Sequence, residues 1–370
     1  MTTPRPRARD LGIPFDGEPG PLNAITDIAG IEVGFTTLIE GEGPVVPGKG
    51  PIRTGVTALL PRGKLGPPRA VFAGHFGFNG NGEMTGTHWI EDAGVFLGPV
   101  ILTNTHSVGI AHHAACKWMV SAYPEFFIDG HGWAMPVVAE TYDGMANDIV
   151  GHHVTEDHVR AAIEGATSGP VAEGNVGGGT GMMTYEFKGG TGTASRIARV
   201  GEESWTVAAL VQSNFGARQD LVIRGRPVGR MLPDDAPLTD IRRPETGSII
   251  VVIATDAPLL PHQLKRVAKR GALGIGRTGT VGGHSSGDIM LAFSTANRDE
   301  LVPTGGPQPP MRSFEALDDR FLDSIYRPAV EAVEEAVINA MVAAETMTLV
   351  KPAGRQWTSI DHGFLKQLFI

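Results

Sequence analysis

The sequence predicts an α/β layered sandwich. Three observations carry that expectation. Short apolar runs rich in β-branched residues recur between Gly-, Asn- and Pro-containing loops, the pattern of buried strands. Segments with helical spacing of apolar residues stand among them without a strict strand–helix–strand rhythm, which favours stacked layers over a doubly wound sheet. The 50 glycines are spread between strand-like segments with no repeat, so they read as tight turns and close backbone approaches.

Residues 1–20, rich in Pro, Arg and Gly, read as an extended arm. Strands are expected at Ile31–Thr37, at Gly55–Leu60 before the Pro61-Arg62-Gly63 turn, and in the apolar runs Ala70–Phe76 and Val95–Thr103. Ser107–Ser121 predicts a helix, because Ile110, Ala114 and Trp118 fall on one face. Pro136–Ala139 is a strand-like run ending at Glu140-Thr141-Tyr142-Asp143, and Thr155–Gly165 is a short helix with Asp157 early and a glycine stop. Trp205–Val211 reads as a buried strand that stops at Gln212-Ser213-Asn214. A further helix starts at Pro261, places Leu264, Val267, Ala268 and Gly271 at helical spacing, and is expected to end near Gly274. Asp288–Thr295 predicts a strand, and Leu317–Ala344 a long helix in two parts, since Pro328 removes an interior donor.

The formal net charge of −9 argues against nucleic acid as a partner, since phosphate binding needs a clustered basic surface. Lys265, Arg266, Lys269 and Arg270 form the one basic cluster, which reads as the solvated face of a helix. A single cysteine, Cys116, leaves no internal disulfide framework and fits a reducing compartment. Arginines near the N-terminus have no apolar region behind them, and no apolar run approaches the ~18 residues of a membrane span. A cytoplasmic protein without a membrane partner is therefore expected.

Three familiar patterns fail on context. Gly274-Ile275-Gly276-Arg277-Thr278-Gly279 matches a dinucleotide fingerprint but follows a helix instead of a strand. Gly283-His284-Ser285-Ser286-Gly287 matches a nucleophile elbow, yet a strand follows it where a helix is needed. A hydrolase triad of Ser285 with Asp361 and His362 stands as the alternative enzyme reading. His112, His113 and Cys116 on one helix, and His152, His153 and His158, lack the pattern of a zinc site, so no metal is expected. The loops Gly174–Gly181 and Lys188–Gly192 lack the order of a phosphate-binding loop and read as close backbone contacts. Phe78–Gly86 reads either as a site-lining loop or as a turn held by its Asn-Gly pairs.

The most unusual stretch is Glu245-Thr246-Gly247-Ser248, followed without a spacer by Ile249–Ile253. One reading is a Gly-Ser turn into an ordinary strand. The other is a cut between Gly247 and Ser248, giving a core strand whose first residue carries both a hydroxyl and a free amine. Such an amine titrates at about 7.7–8.0 and can take the proton of its own hydroxyl. Polar residues stand at the ends of neighbouring strands. Asn214 offers an amide for an oxyanion. Ser286 and Asp288 bracket Gly287, and Glu140 and Tyr142 stand two apart on one face of extended chain.

Thr246–Val252, Asp256–Leu264 and Ser286–Ile289, together with Asn79–Gly86, Thr103–Gly109, Gly174–Gly181 and Lys188–Thr193, resemble the family of the L-aminopeptidase D-Ala-esterase/amidase and the β-peptidyl aminopeptidases. The likeness runs in order from about Asn23 to about Val350. It implies a four-layer αββα sandwich resembling N-terminal nucleophile hydrolases with different strand connectivity. It also implies self-cleavage into an α chain of residues 1–247 and a β chain of residues 248–370 that together form a single domain. By that resemblance Ser248 is the nucleophile and Gly247 the end of the α chain. Ser286 and Asp288 assist cleavage and hold the new amine, Asn214 and Tyr142 contact the oxyanion, and Glu140 binds the substrate's free amine. Some members carry Glu where Asp288 stands here. The expected substrates are small peptides, amino acid amides or esters, and the expected assembly is a homo-oligomer of αβ heterodimers without a cofactor. A non-enzymatic, glycine-rich binding protein is the remaining alternative.

Overall fold

The strands of the computed structural model are, in chain order, β1 (Glu32–Glu40), β2 (Ile52–Leu60), β3 (Val71–Gly80), β4 (Val95–Phe96), β5 (Val100–Asn104), β6 (Val137–Thr141), β7 (Met183–Thr184), β8 (Phe187–Lys188), β9 (Gly190–Val200), β10 (Glu203–Asn214), β11 (Ser248–Thr255), β12 (Gly287–Ser294), β13 (Met347–Val350) and β14 (Ala353–Trp357). Its helices are α1 (Thr87–Ala93), α2 (Val108–Ala122), α3 (Glu156–Glu164), α4 (Val228–Met231), α5 (Pro261–Arg277), α6 (Asp323–Val342) and α7 (His362–Phe369). The structure describes residues 5–130, 132–233, 247–298, 301 and 310–370. Residues 234–246, including Glu245 and Thr246 of the stretch before Ser248, lie outside them, as do the first four residues of the N-terminal arm.

One sheet has the order β1-β2-β5-β6 and another the order β4-β3-β12-β11-β10-β9. Side-chain alternation along β11 explains how they stack. Ile250, Val252 and Ala254 share one apolar core with Leu59, Val100, Leu102 and Val137 of the four-stranded sheet. Ile249, Val251 and Ile253 point the other way and pack with Leu264 and Val267 of α5 and Ala332, Val333 and Ala336 of α6. On the far side, Val56, Ala58, Ile101 and Val138 bury against Ala111 and Ala114 of α2 and Val159 and Ile163 of α3. The four layers are therefore αββα. Because both faces of β11 are covered, its sequence is a continuous apolar run.

Four elements depart from expectation. The run Val95–Thr103 divides at Gly98-Pro99 into β4, which pairs with β3, and β5, which pairs with β2 and β6. β9 is a long strand where a glycine-rich loop was expected, because α6 packs so closely that Gly192 has no room for a Cβ beside the Ala336 carbonyl. α5 runs past Gly274 to Arg277. α6 is continuous through Pro328, which falls early enough in the helix to remove one donor near its start. The expected extended arm contains a short 3-10 turn at Ala8–Leu11, and Arg9 within it binds Glu335 of α6 at 2.9 Å. Arg196 of β9 meets the same carboxylate at 2.6 Å, and Asn23 donates to it at 2.6 Å. No helix among the described residues is long and apolar enough to cross a membrane.

Candidate active site

Strand ends bring the singled-out residues together. Ser248, the first residue of β11, pairs with Asn214, the last of antiparallel β10, and on its other side with Gly287, the first of parallel β12. It shares the parity of Ile250 and Val252, so its side chain faces the space between the sheets. Ser248 is 7% exposed, and its Oγ donates to the Gly247 carbonyl oxygen at 2.7 Å. The Gly287 N–H is shared between that same carbonyl, at 3.1 Å, and Ser248 Oγ, at 3.3 Å. Glycine is required at both positions. A Cβ on Gly247 would overlap the Asn214 carbonyl, and one on Gly287 would overlap the Asn81 carbonyl and sit 3.0 Å from Ser248 Oγ.

Ser286 and Asp288 are in direct contact, Ser286 Oγ donating to Asp288 Oδ1 at 2.6 Å. Asn79, opposite Asp288 in the β12–β3 register, donates from Nδ2 to Asp288 Oδ2 at 3.0 Å. A register shift between Asp288 and Ile289 interrupts the ladder there, a bulge of the kind that re-aims a side chain beside a site. Burial pushes the Asp288 carboxyl above the usual aspartate range, opposed by the hydrogen bonds from Ser286 and Asn79.

Asn214 is held at both ends of its amide. Its Oδ1 accepts the Met183 N–H at 2.9 Å, and its Nδ2 donates to the Tyr142 carbonyl at 3.1 Å. The Tyr142 ring is half exposed, and its phenol is pushed up by burial and by the neighbouring Asp143. Glu140 is buried at the end of β6. Its Oε1 accepts the Glu83 N–H at 3.0 Å, while the Thr105 hydroxyl donates to Oε2. Burial raises the Glu140 carboxyl, and the contacts from Thr105 and Glu83 pull it back. Gly82 bridges the two halves of the site: a Cβ built there lies 3.2 Å from Glu140 Oε1 and 3.6 Å from Gly287 Cα. Behind them Gln212 ties the sheets together, donating to the Thr103 carbonyl at 2.9 Å and to Thr141 Oγ1 at 2.8 Å.

Chemically, this is a hydroxyl held against a carbonyl whose oxygen already receives a backbone N–H. Beside it lie a hydrogen-bonded serine–carboxyl pair, an amide with a second N–H to offer, and a buried carboxylate. Residue types did not reveal the backbone donors of Gly287, Glu83 and Met183, and Asn79 and Thr105 were legible only as parts of loops. The Phe78–Gly86 loop does line the site.

Of the rejected motifs, Gly283–Gly287 leads into the site through Ser286 and Gly287, and the others lie elsewhere. Gly274–Gly279 covers the end of α5 and the turn after it. Asp361 caps α7 by accepting from the Gly363 N–H at 2.8 Å, and His362 Nε2 lies 2.9 Å from the Val342 carbonyl. His112 faces Cys116 at 3.8 Å, His113 approaches Glu156 at 3.5 Å, and His153 pairs with Asp148 at 3.0 Å. Among the described residues no three metal-ligating side chains converge.

The chain matches the model of peptidase family S58 over residues 23–354. It is 52% identical to the β-peptidyl aminopeptidase BapA of Sphingosinicella microcystinivorans over 355 residues, 93% of this chain and 87% of that one. The solved L-aminopeptidase D-Ala-esterase/amidase of Ochrobactrum anthropi, described as a prototype for the serine aminopeptidases and a new variant among the Ntn hydrolase fold, superposes with a TM-score of 0.92 at 53% identity, covering 99% of each chain. A β-aminopeptidase from a Burkholderia species superposes with a TM-score of 0.87 at 43% identity, covering 98% of each chain. The αββα layering described above is that variant of the Ntn hydrolase fold.

Proposed function

The chain belongs to peptidase family S58 and is a hydrolase of the aminopeptidase and amidase kind; from that membership we propose that it cuts itself between Gly247 and Ser248 and then uses Ser248 as an N-terminal nucleophile. The observation that carries the reading is the placement of Ser248 Oγ 2.7 Å from the Gly247 carbonyl oxygen while the Gly287 N–H holds the same oxygen. In the precursor, Ser248 Oγ attacks the Gly247 carbonyl carbon. Negative charge develops on the carbonyl oxygen, which the Gly287 N–H stabilises. Collapse breaks the C–N bond, the nitrogen takes up the hydroxyl's proton, and Gly247 is left as an ester on Ser248. That step frees the Ser248 amine, and water then hydrolyses the ester, releasing the Gly247 carboxylate and restoring the Ser248 hydroxyl. The resulting α chain, 1–247, and β chain, 248–370, remain one domain, because β11 lies between β10 of the first and β12 of the second.

In the mature enzyme the same hydroxyl attacks the carbonyl of the substrate's first residue, with the Ser248 amine as general base. Asn214 and Tyr142 stabilise the oxyanion. The Ser286–Asp288 pair borders the amine, since Gly287 stands beside Ser248 in the ladder. Glu140, buried at the end of β6, selects substrates with a free amine. Those substrates are small peptides, amides or esters, as the names of the relatives suggest; we further propose that αβ units assemble into a homo-oligomer.

Intact mass under denaturing conditions tests this reading. The wild-type protein is expected as two chains, the smaller beginning Ser-Ile-Ile-Val, and Ser248→Ala as one inactive chain of 39.1 kDa. A single chain in both, with peptidase activity kept by the variant, would overturn it.

A further inference from the structure

Among the described residues, Lys188 is the one lysine that is completely buried, and no carboxylate pairs with it. An isolated ammonium in a dry interior is costly unless every donor is used. Its Nζ donates to the carbonyls of Met182 and Gly189, both at 2.7 Å, and approaches that of Gly179 at 3.4 Å. Burial drives its pKa well below the ordinary lysine value. A methionine would fill such a space without that penalty, so the buried amine calls for a role.

Its target supplies one. The Met182 carbonyl and the Met183 N–H belong to a single peptide group and point in opposite directions across its plane. Lys188 holds the carbonyl end, and the N–H end donates to Asn214 Oδ1 at 2.9 Å. A second donor, the Gly189 N–H at 3.0 Å, fixes the direction of the same carbonyl. A donor on the carbonyl also polarises the peptide and strengthens donation from its N–H. The two ends of an asparagine amide are nearly identical in shape, so only such partners decide which end faces the nucleophile. Rotated by half a turn, Asn214 would present oxygen where negative charge develops.

We infer that Lys188 is a positioning residue for the reaction at Ser248, acting through the Met182–Met183 peptide to keep the NH2 end of Asn214 turned toward the nucleophile. This rests on the reading of Asn214 as an oxyanion donor, and a double-mutant cycle separates the two. Kinetics on an amino acid amide would be measured for the wild type, Lys188→Met, Asn214→Ala and the double variant. Asn214→Ala should lower kcat by about 100-fold. Lys188→Met should lower kcat by about 10-fold with KM changed less than about 2-fold, and should have no further effect in the Asn214→Ala background. Lys188→Gln, which retains N–H donors without charge, should recover most of the loss.

Unchanged kcat in Asn214→Ala would sink the oxyanion reading itself. An equal loss from Lys188→Met with and without Asn214, or no recovery by Gln, would sink the positioning role alone. Should Lys188→Met leave the chain uncut, the rate of self-cleavage replaces kcat in the same cycle. Should it not fold, Lys188→Gln takes its place, and there an effect of equal size in both backgrounds overturns the inference.

Discussion

Asp143, the residue after Tyr142, is completely buried, and its Oδ1 accepts from Asn147 Nδ2 at 3.0 Å. Its Oδ2 finds no hydrogen-bond partner within normal distance among the described residues. Burial raises this carboxyl from 3.8 to about 7, with Thr54 and Asn147 pulling the other way. The folded state thus keeps a proton that the unfolded chain releases at about 3.9. The stabilisation is fully present below the unfolded pKa, is lost as pH rises toward about 7, and then levels off. Asp143→Asn removes that dependence. Measured by thermal unfolding in the uncut Ser248→Ala background, the melting temperature of Asp143→Asn relative to its parent should climb by several degrees between pH 4 and pH 8. A pH-independent difference would refute the assignment. Such a carboxyl was not legible in the sequence, where Asp143 reads as the polar end of a strand. Ser248, Asn214, Ser286 and Asp288 were legible because they interrupt or border apolar runs. Backbone donors have no residue type, so the N–H groups of Gly287 and Met183 left no mark except the glycine itself.

At the level of elements, glycine is required in some places and merely tolerated in others. On β9, a Cβ at Gly192 would overlap the Ala336 carbonyl and lie 2.7 Å from the Ala340 nitrogen of α6. Gly276, in the last turn of α5, has nothing within 4 Å of a built Cβ. Gly192→Ala should therefore destabilise by about 1–3 kcal/mol through overpacking. Gly276→Ala should be neutral or stabilise by up to about 1 kcal/mol. Denaturant unfolding of the two variants checks the pair, and the same sign for both would undo the distinction. This also explains which elements the sequence concealed. Short apolar runs revealed most of the long strands, but Gly190-Thr191-Gly192-Thr193-Ala194-Ser195 is built of small residues because a helix lies tight against it. A strand chosen for thinness carries the composition of a loop. Likewise, the continuous spelling of Val95–Thr103 hid a change of sheet, since apolar content reports burial and not which sheet a segment joins.

Across the whole molecule, groups distant in sequence meet at Glu335. Arg9, Asn23 and Arg196 precede the proposed cut, and Glu335 follows it. A buried carboxylate with this many charged and polar partners is strongly destabilising to break, so the two segments remain joined without a covalent link. The central strand leads to a further expectation. Ser248 gains its neighbour Gly287 and the Ser286–Asp288 pair only from chain that follows it. A chain stopped at Arg277 should therefore stay uncut in cell-free translation, as read from gel mobility, while the full chain is cut; cleavage of the stopped chain would place the chemistry wholly upstream. The strand order thereby sets a sequence in time. On the proposed cleavage, the ribosome would have to release β12 before the bond could break, so a nascent or misfolded copy would carry no free Ser248 amine and would remain a harmless zymogen. Activation by that route would double as an inspection of the finished fold, performed by the molecule on itself.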